Sequence, residues 1–582
     1  MPTATLTRAA LLGVALLAPL AANAQSQCGS AVRVTDDISA DVTWSASSEY
    51  CLDGLIFVND GATLTIEPGT VVRGVRDDRI TTGDGASALV IRRGGMIMAD
   101  GTAADPIIFT AEDDDLSDPT DFLQRERGEW AGIIVLGKAS NNQPTTDNQI
   151  EGIEYDPVNQ TGDEALYGGT EDDDNSGVLR YVSVRHSGFS ITGVEGDEIQ
   201  GITLGGVGSG TTIEYVEIFA SNDDGIEWFG GTVNVKYAVV AFPFDDAFDY
   251  DQGWRGKGQF WFTIADTDAA GRGGEHDGGD DGGDDATPYA TPVISNATYI
   301  GSGGTSPADG DGNDYAFRMR DGAGGYYFNS VFTDFPDRAI DIENFEAGAT
   351  FDSYQQYVDG RLKIENNLFH SFGRGTTFDD ITDASYSDSS PSTPGTADDD
   401  AFAAYISGAN TLGTESPVLS VSRTDDNGLD PRPSATGGAV TGADFSATEL
   451  DDFFDEVDYL GAFAPGAAAW IAGWTALDQT GFLSDNVNVA NEEEVAARFE
   501  LTVGPNPVRS SAAVAFSLDR AQDVRLSLYD ALGRQVATLV EGSLPAGPAS
   551  GRLDASSLPA GVYVLRLQAE DATLTHTLTV VR

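Results

Sequence analysis

The chain has 582 residues, with 93 Asp or Glu against 32 Lys or Arg, and a formal charge of -61. Only four residues are Lys, so the sequence cannot assemble the basic face that neutralises nucleic-acid phosphates or the polybasic patch that holds a protein on an anionic bilayer. Glycine, at 69 residues, exceeds the usual share of about 7% while proline, at 23, does not, which favours a turn-rich β protein over a disordered Pro/Gly tract.

Residues 1–24 have the layout of a secretory signal. Arg8 supplies the positive region, Leu11 to Ala22 the apolar core, and Ala22-Asn23-Ala24 the small-residue cleavage site, with Gln25 expected to begin the mature chain. The apolar core is shorter than the roughly 20 residues a membrane span needs, and no later stretch reads as a transmembrane segment. Cys28 follows Gln25-Ser26-Gln27 rather than a lipobox, which argues against a lipid anchor. Two cysteines in an exported chain read as one disulfide, Cys28 to Cys51, closing the N-terminal end of the fold; a catalytic thiol is the alternative.

A short pattern then recurs: small residue, apolar, variable, apolar. Its copies are Gly201-Ile202-Thr203-Leu204, Gly225-Ile226-Glu227-Trp228, Ala247-Phe248-Asp249-Tyr250, Ala316-Phe317-Arg318-Met319 and Ala339-Ile340-Asp341-Ile342. Runs of period-two alternation lie between the copies, at residues 213–218, 233–239 and 327–332. Residues 61–69, 88–98 and 106–110 alternate strands with Gly corners in the same way. The same side-chain pattern returns at the same phase, as parallel stacking requires and antiparallel hairpins do not. The expected fold is therefore all-β: a parallel β-helix over residues 25–478, with acidic loop insertions.

Here a resemblance becomes specific. Residues 64–70 (Leu-Thr-Ile-Glu-Pro-Gly-Thr), 178–184, 223–226 (Asp-Asp-Gly-Ile) and 253–257 (Gly-Trp-Arg-Gly-Lys), then 430–433, 459–463 and Gly473-Trp474, resemble a family of secreted right-handed β-helix surface proteins. That resemblance implies fold and location, not chemistry. A linker is expected over 479–498, and residues 499–582 read as seven short strands, the count of a small β-sandwich. Within them Pro505-Asn506-Pro507, residues 528–534 (Leu-Tyr-Asp-Ala-Leu-Gly-Arg), residues 558–563 (Leu-Pro-Ala-Gly-Val-Tyr) and Arg582 resemble the type A C-terminal sorting domain of type IX secretion. The resemblance implies a substrate of the type IX secretion machinery, carried across the outer membrane to the exterior. It also implies a sortase-like peptidase as partner, which removes the domain and can attach the cargo to surface lipopolysaccharide.

The chemistry is concentrated in an acidic ladder. The variable position of each repeat points outward between inward apolar neighbours, which places Glu227 and Asp249 on successive rungs about 4.8 Å apart. Two bare carboxylates at that distance repel by roughly 0.9 kcal/mol in water and about 3.5 kcal/mol at an effective dielectric of 20. Asp223-Asp224 and Asp245-Asp246 fall in the same register, and Asp251 follows closely. Relief by Ca²⁺, which takes about six to eight oxygens in flexible geometry, makes Asp223, Glu227, Asp245, Asp249 and Asp251 candidate ligands. Ion pairing to Arg318 and Arg338 is the alternative remedy, and a solvated, salt-screened face is the third. No organic cofactor is expected. Asp309, Asp311 and Asn313 have the alternating oxygens that open a calcium loop, but Arg320 stands where its bidentate Glu belongs. The Gly/Asp-rich run 273–285 reads as a solvated insertion in which His276 is exposed.

Three functions compete for this groove. A structural or adhesive surface, contacting extracellular glycan or lipopolysaccharide, needs no catalysis; Phe229, Trp254 and Trp261 are candidate outward aromatics for stacking on sugar. A glycoside hydrolase would draw its acid and base from Asp223, Asp224, Asp245 and Asp246. A polysaccharide lyase would need a base among Arg255, Lys257, Arg318 or Arg320. His186 reads as a local hydrogen bonder at a strand end, and His576 belongs to the sorting domain.

Overall fold

The computed structural model describes residues 27–153, 164–190, 198–488 and 501–581. Within those ranges it omits 269, 280–282, 305–312, 314, 346–350, 387–396, 505–507, 510, 519–521, 531–533, 545–546, 556–557 and 569–572. The signal and its Ala24/Gln25 cleavage site, and the loop residues Asp309 and Asp311, lie outside the described residues.

Each repeat is one turn of a parallel β-helix. The strands Ile202–Gly205, Ile226–Phe229, Phe248–Asp251, Glu275–Asp277, Phe317–Arg320 and Ile340–Glu343 stack as neighbours in a ten-stranded parallel sheet. Their register sets Thr203 on Glu227, Glu227 on Asp249, and Arg318 on Asp341. The apolar partners Ile226, Trp228, Phe248, Tyr250, Phe317 and Met319 fill the interior. The small residue that opens each copy has a steric cause. A Cβ on Gly225 would lie 2.4 Å from the Val240 side chain and 2.6 Å from the Ala247 carbonyl oxygen, because two faces of the coil converge there.

Eighteen further strands form a set bent into two faces. Tyr181, Tyr215, Tyr237, Phe260, Asn296, Asn329 and Asn366 turn the corner, each with φ between 47° and 60°. Non-glycine residues seldom adopt this left-handed conformation; here stacking of like side chains from coil to coil compensates. The rings of Tyr181, Tyr215, Tyr237 and Phe260 lie 4.5, 4.3 and 4.9 Å apart in sequence, each contact worth about 0.5–1.5 kcal/mol beyond burial. In the later coils Asn366 Nδ2 donates to Asn329 Oδ1 at 2.7 Å, and Asn296, Asn329 and Asn366 each donate to a carbonyl of a covering segment, those of Tyr459, Asp444 and Gly442.

That covering segment closes the flank of the helix. Phe463, Ile471, Leu477, Phe482 and Val487 pack on Phe219, Ala241 and Phe262, so the packed region continues past the boundary expected at 478. Glu217 anchors it: this buried carboxylate accepts from Ser183 Oγ at 2.6 Å and from the backbone amides of Ala476 and Leu477 at 2.6 and 3.0 Å. Lys236, Lys257 and Lys363, three of the four lysines, pair with Asp455, Asp451 and Glu449 of the same segment.

The ends of the solenoid are covered as stacked repeats require. Cys28 and Cys51 form a disulfide with a Cα separation of 5.9 Å at the first coil. The helix Ala397–Ala409 lays Phe402 and Ile406 on the last coil. Residues 501–580 form a three-stranded and a four-stranded antiparallel sheet around a core containing Val514, Phe516, Leu526, Leu565 and Leu578.

Candidate functional site

Two turns and two rungs build the site. The turn before Ile226–Phe229 carries Asp223 and Asp224, and the next coil repeats it with Asp245 and Asp246. The Gly225 amide donates to the Asp246 carbonyl, and the Ala247 amide to that of Arg272. The turns therefore stack as the strands do, and the acids they carry are brought together. Asp223, Asp224 and Asp245 each place a carboxylate oxygen within 4.8 Å of the others, and Asp224, Glu227 and Asp249 do the same, so Asp224 belongs to both groups. Asp224 Oδ1 accepts from the Asp246 amide at 2.8 Å, which orients its carboxylate.

The expected outward residues do leave the apolar interior, but they are not solvated. Glu227 is 7% exposed. Its Oε2 and Asp249 Oδ1 are buried without a hydrogen-bond partner. Glu151, from a loop preceding the coil, accepts from Gln200 Nε2 at 2.8 Å and interacts electrostatically with Glu227. Burial, reinforced by the neighbouring acids, holds Glu227, Asp224 and Asp249 well above the usual carboxylate range. The same causes push Asp223 up to about 7, and Asp245 and Glu151 up to about 8.

The charge balance changes along the ladder. Glu275 follows Asp249 in register, because Tyr250 pairs with His276. From there four acids have an arginine partner: Arg272 lies 2.9 Å from Glu275, Arg318 3.1 Å from Asp341, Arg320 2.8 Å from Asp277 and Arg338 2.8 Å from Asp383. No ion pair among the described residues reaches Asp223, Asp224, Glu227, Asp245 or Asp249. Arg318 and Arg338 thus pair with acids of the far rungs, while Arg272 and Arg320 act on Asp245 and Asp249 only at longer range. Asp246 is engaged by Arg272 at 3.3 Å, and Asp251 belongs to neither carboxylate group. The four residues considered as a lyase base are also committed elsewhere: Arg255 to Asp172, Lys257 to Asp451, Arg318 to Asp341 and Arg320 to Asp277.

Two expectations are corrected. Phe229, Trp254 and Trp261 are buried, so none can stack on a sugar. Phe260 occupies the left-handed corner, which shifts the alternation and turns Trp261 inward opposite Ala238. Trp254 and Trp261 stack on Trp228 at 4.6 and 5.3 Å inside the coil, and Phe229 packs beside Tyr167. The aromatic left exposed beside the cluster is Phe244, at 51%. His276 is not an exposed loop residue; it points into the interior, stacked 4.0 Å from Tyr250, with Nε2 2.7 Å from the Tyr327 hydroxyl. Burial depresses its pKa to about 3. The signal was present, since Gly273-Gly274-Glu275-His276 is a degenerate copy of the repeat. Gly274 replaces the apolar residue because a Cβ there would lie 2.4 Å from the His276 ring. Glu151 carried no pattern that could have found it. His186 Nδ1 lies 2.6 Å from the Glu126 carbonyl, and Asn313 Oδ1 accepts from Ser302.

A solenoid of parallel strands with acids ranked along one sheet defines the class, a parallel β-helix protein. Residues 36–417, well over half of the chain, match the family model described as a pectate-lyase-like β-helix domain, and the chain belongs to that family. Residues 502–581 match the secretion system C-terminal sorting domain. No curated protein matches the chain. The sorting domain makes this a substrate of the type IX secretion machinery, secreted or held at the cell surface. No helix among the described residues is long and apolar enough to cross a membrane.

Proposed function

We propose that this exported β-helix is a calcium-binding structural or adhesive protein that contacts extracellular glycan. One observation carries the reading: Glu227 and Asp249 are stacked beside Asp224, and each has a buried carboxylate oxygen, Oε2 and Oδ1, without a hydrogen-bond partner, an arrangement whose unmet acceptors a hard divalent cation relieves. Asp224, Glu227 and Asp249 would hold the ion, whose charge would hold the turns of successive coils together. Phe244, exposed next to Asp245, is the surface offered to a sugar ring. After export, a sortase-like peptidase removes the sorting domain and joins the helix to surface lipopolysaccharide. Titration of the metal-free protein with Ca²⁺, followed by a thermal scan, tests the reading: heat of binding and a raised melting temperature are expected, and absence of both overturns it.

A second reading draws on Glu151. A carboxyl whose pKa is pushed up to about 8 is the kind of group a glycoside hydrolase uses to protonate a leaving oxygen. Release of oligosaccharides from acidic or neutral polysaccharides, lost on Glu151→Gln, would establish it. Binding without product would remove it.

A further inference from the structure

We infer that the acidic cluster holds two divalent cations bridged by the Asp224 carboxylate, an inner ion at Asp224, Glu227 and Asp249 and an outer ion at Asp223, Asp224 and Asp245. The inference rests on the calcium reading above and goes beyond it in number, ligand assignment and order of exposure. The geometry comes first: the five carboxylates do not form one shell but two groups of three, each with its oxygens within 4.8 Å, and Asp224 alone is in both. A carboxylate with two oxygens can bridge two hard cations, and Asp224 is oriented for it by the Asp246 amide.

Charge supplies the second argument. Five ionised carboxylates carry five negative charges, so a single dication leaves three uncompensated in a region where no arginine or lysine pairs with any of them. Two dications leave one. The arginines that perform this task on the far rungs begin at Arg272, which is already divided between Asp246 and Glu275. Buried oxygen supplies the third argument. Glu227 Oε2 and Asp249 Oδ1 are withdrawn from solvent with no partner, on a residue 7% exposed in the case of Glu227, so the inner group is built around acceptors that nothing in the protein satisfies. Asp223 and Asp245 are half-buried at the rim. The inner ion is therefore enclosed by the coil, and the outer one faces solvent and exchanges first.

The test is calorimetric titration of Ca²⁺ into the full chain after removal of metal, with far-UV circular dichroism confirming the fold of every variant. Other acidic loops can add sites, so the readout is the difference from the unaltered protein. Asp223→Asn with Asp245→Asn is expected to remove one site and leave a slowly exchanging one. Glu227→Gln with Asp249→Asn is expected to remove the other, and Asp224→Asn alone to remove both. These changes delete charge without deleting volume, so the metal-free fold should persist. Europium luminescence lifetimes provide a second measure, with more bound water on the outer ion than on the inner. If both double variants lose the same single site, the two-ion assignment is overturned while the calcium reading stands. If neither double variant nor Asp224→Asn changes calcium uptake, both are overturned.

Discussion

Glu227 and Asp249 stand directly opposite each other on adjacent parallel strands, and neither has an ion pair among the described residues. Two rungs further on, Arg318 and Asp341 occupy the same kind of position at 3.1 Å and neutralise each other. One sheet thus carries the same outward column in two electrostatic states.

Replacing Glu227 by Gln should stabilise the metal-free protein. The effect belongs to alkaline pH, where both raised carboxyls are ionised: there a bare pair at about 4.8 Å repels by up to about 3.5 kcal/mol at an effective dielectric of 20, and the substitution removes that term while keeping the side-chain volume. The melting temperature in chelator should rise and the gain on adding Ca²⁺ should shrink. A lower melting temperature in chelator would contradict the account.

The pH dependence follows from the raised carboxyls. An acid whose folded pKa exceeds its unfolded value binds more protons when folded across the interval between the two. Unfolding then releases protons, and stability falls as pH rises through that interval. For Asp223, at about 7, and Asp245, at about 8, the interval runs from the ordinary carboxylate range near 4 up to those values. Metal-free protein should lose stability between about pH 4 and pH 8, and Asp223→Asn with Asp245→Asn should flatten the slope. Chemical denaturation at several pH values measures both; a variant as steep as the unaltered protein would refute the assignment.

Trp261→Ala should cost about 3–5 kcal/mol, because it empties a volume shared with Trp228 and Phe248 in the interior. Phe244→Ala should change stability by no more than about 0.5 kcal/mol, since the ring is exposed, and should weaken glycan binding. Denaturant titration and glycan-array binding separate the two; unchanged glycan binding by the Phe244 variant would remove the sugar-contact assignment.

Glu217→Gln should loosen the covering segment. The donors Ala476 N and Ser183 Oγ use one carboxylate oxygen and Leu477 N the other, so the amide NH2 of Gln replaces one acceptor with a donor and at least one of these bonds is lost, at a cost of about 1.5–3 kcal/mol. Limited proteolysis should then cut between residues 440 and 488 faster, with the coils left intact. Equal cleavage rates would show that the lysine pairs and apolar contacts hold the segment alone.

The repeat made much of this legible. Coil spacing, parallel register and the Glu227/Asp249 pairing follow from side chains that return at the same phase, because a stacked coil repeats its chemistry at a fixed chain interval. The disulfide followed from export and a count of two. Alternation failed where the chain leaves the strand conformation: the corner at Phe260 turned Trp261 inward, and the two glycines before Glu275 concealed a rung with His276 inside it.

By itself, then, the sequence determined the β-helix, the sorting domain, the exterior location and the column in which the acids lie, since each depends on local pattern or on a recurring motif. Only the tertiary structure decided which of those acids are buried, which are neutralised, and that Glu151 joins them from a loop over seventy residues before Glu227. Burial and ion pairing depend on distances between residues remote along the chain, and an electrostatic energy that varies with both distance and solvent access cannot be read from order alone.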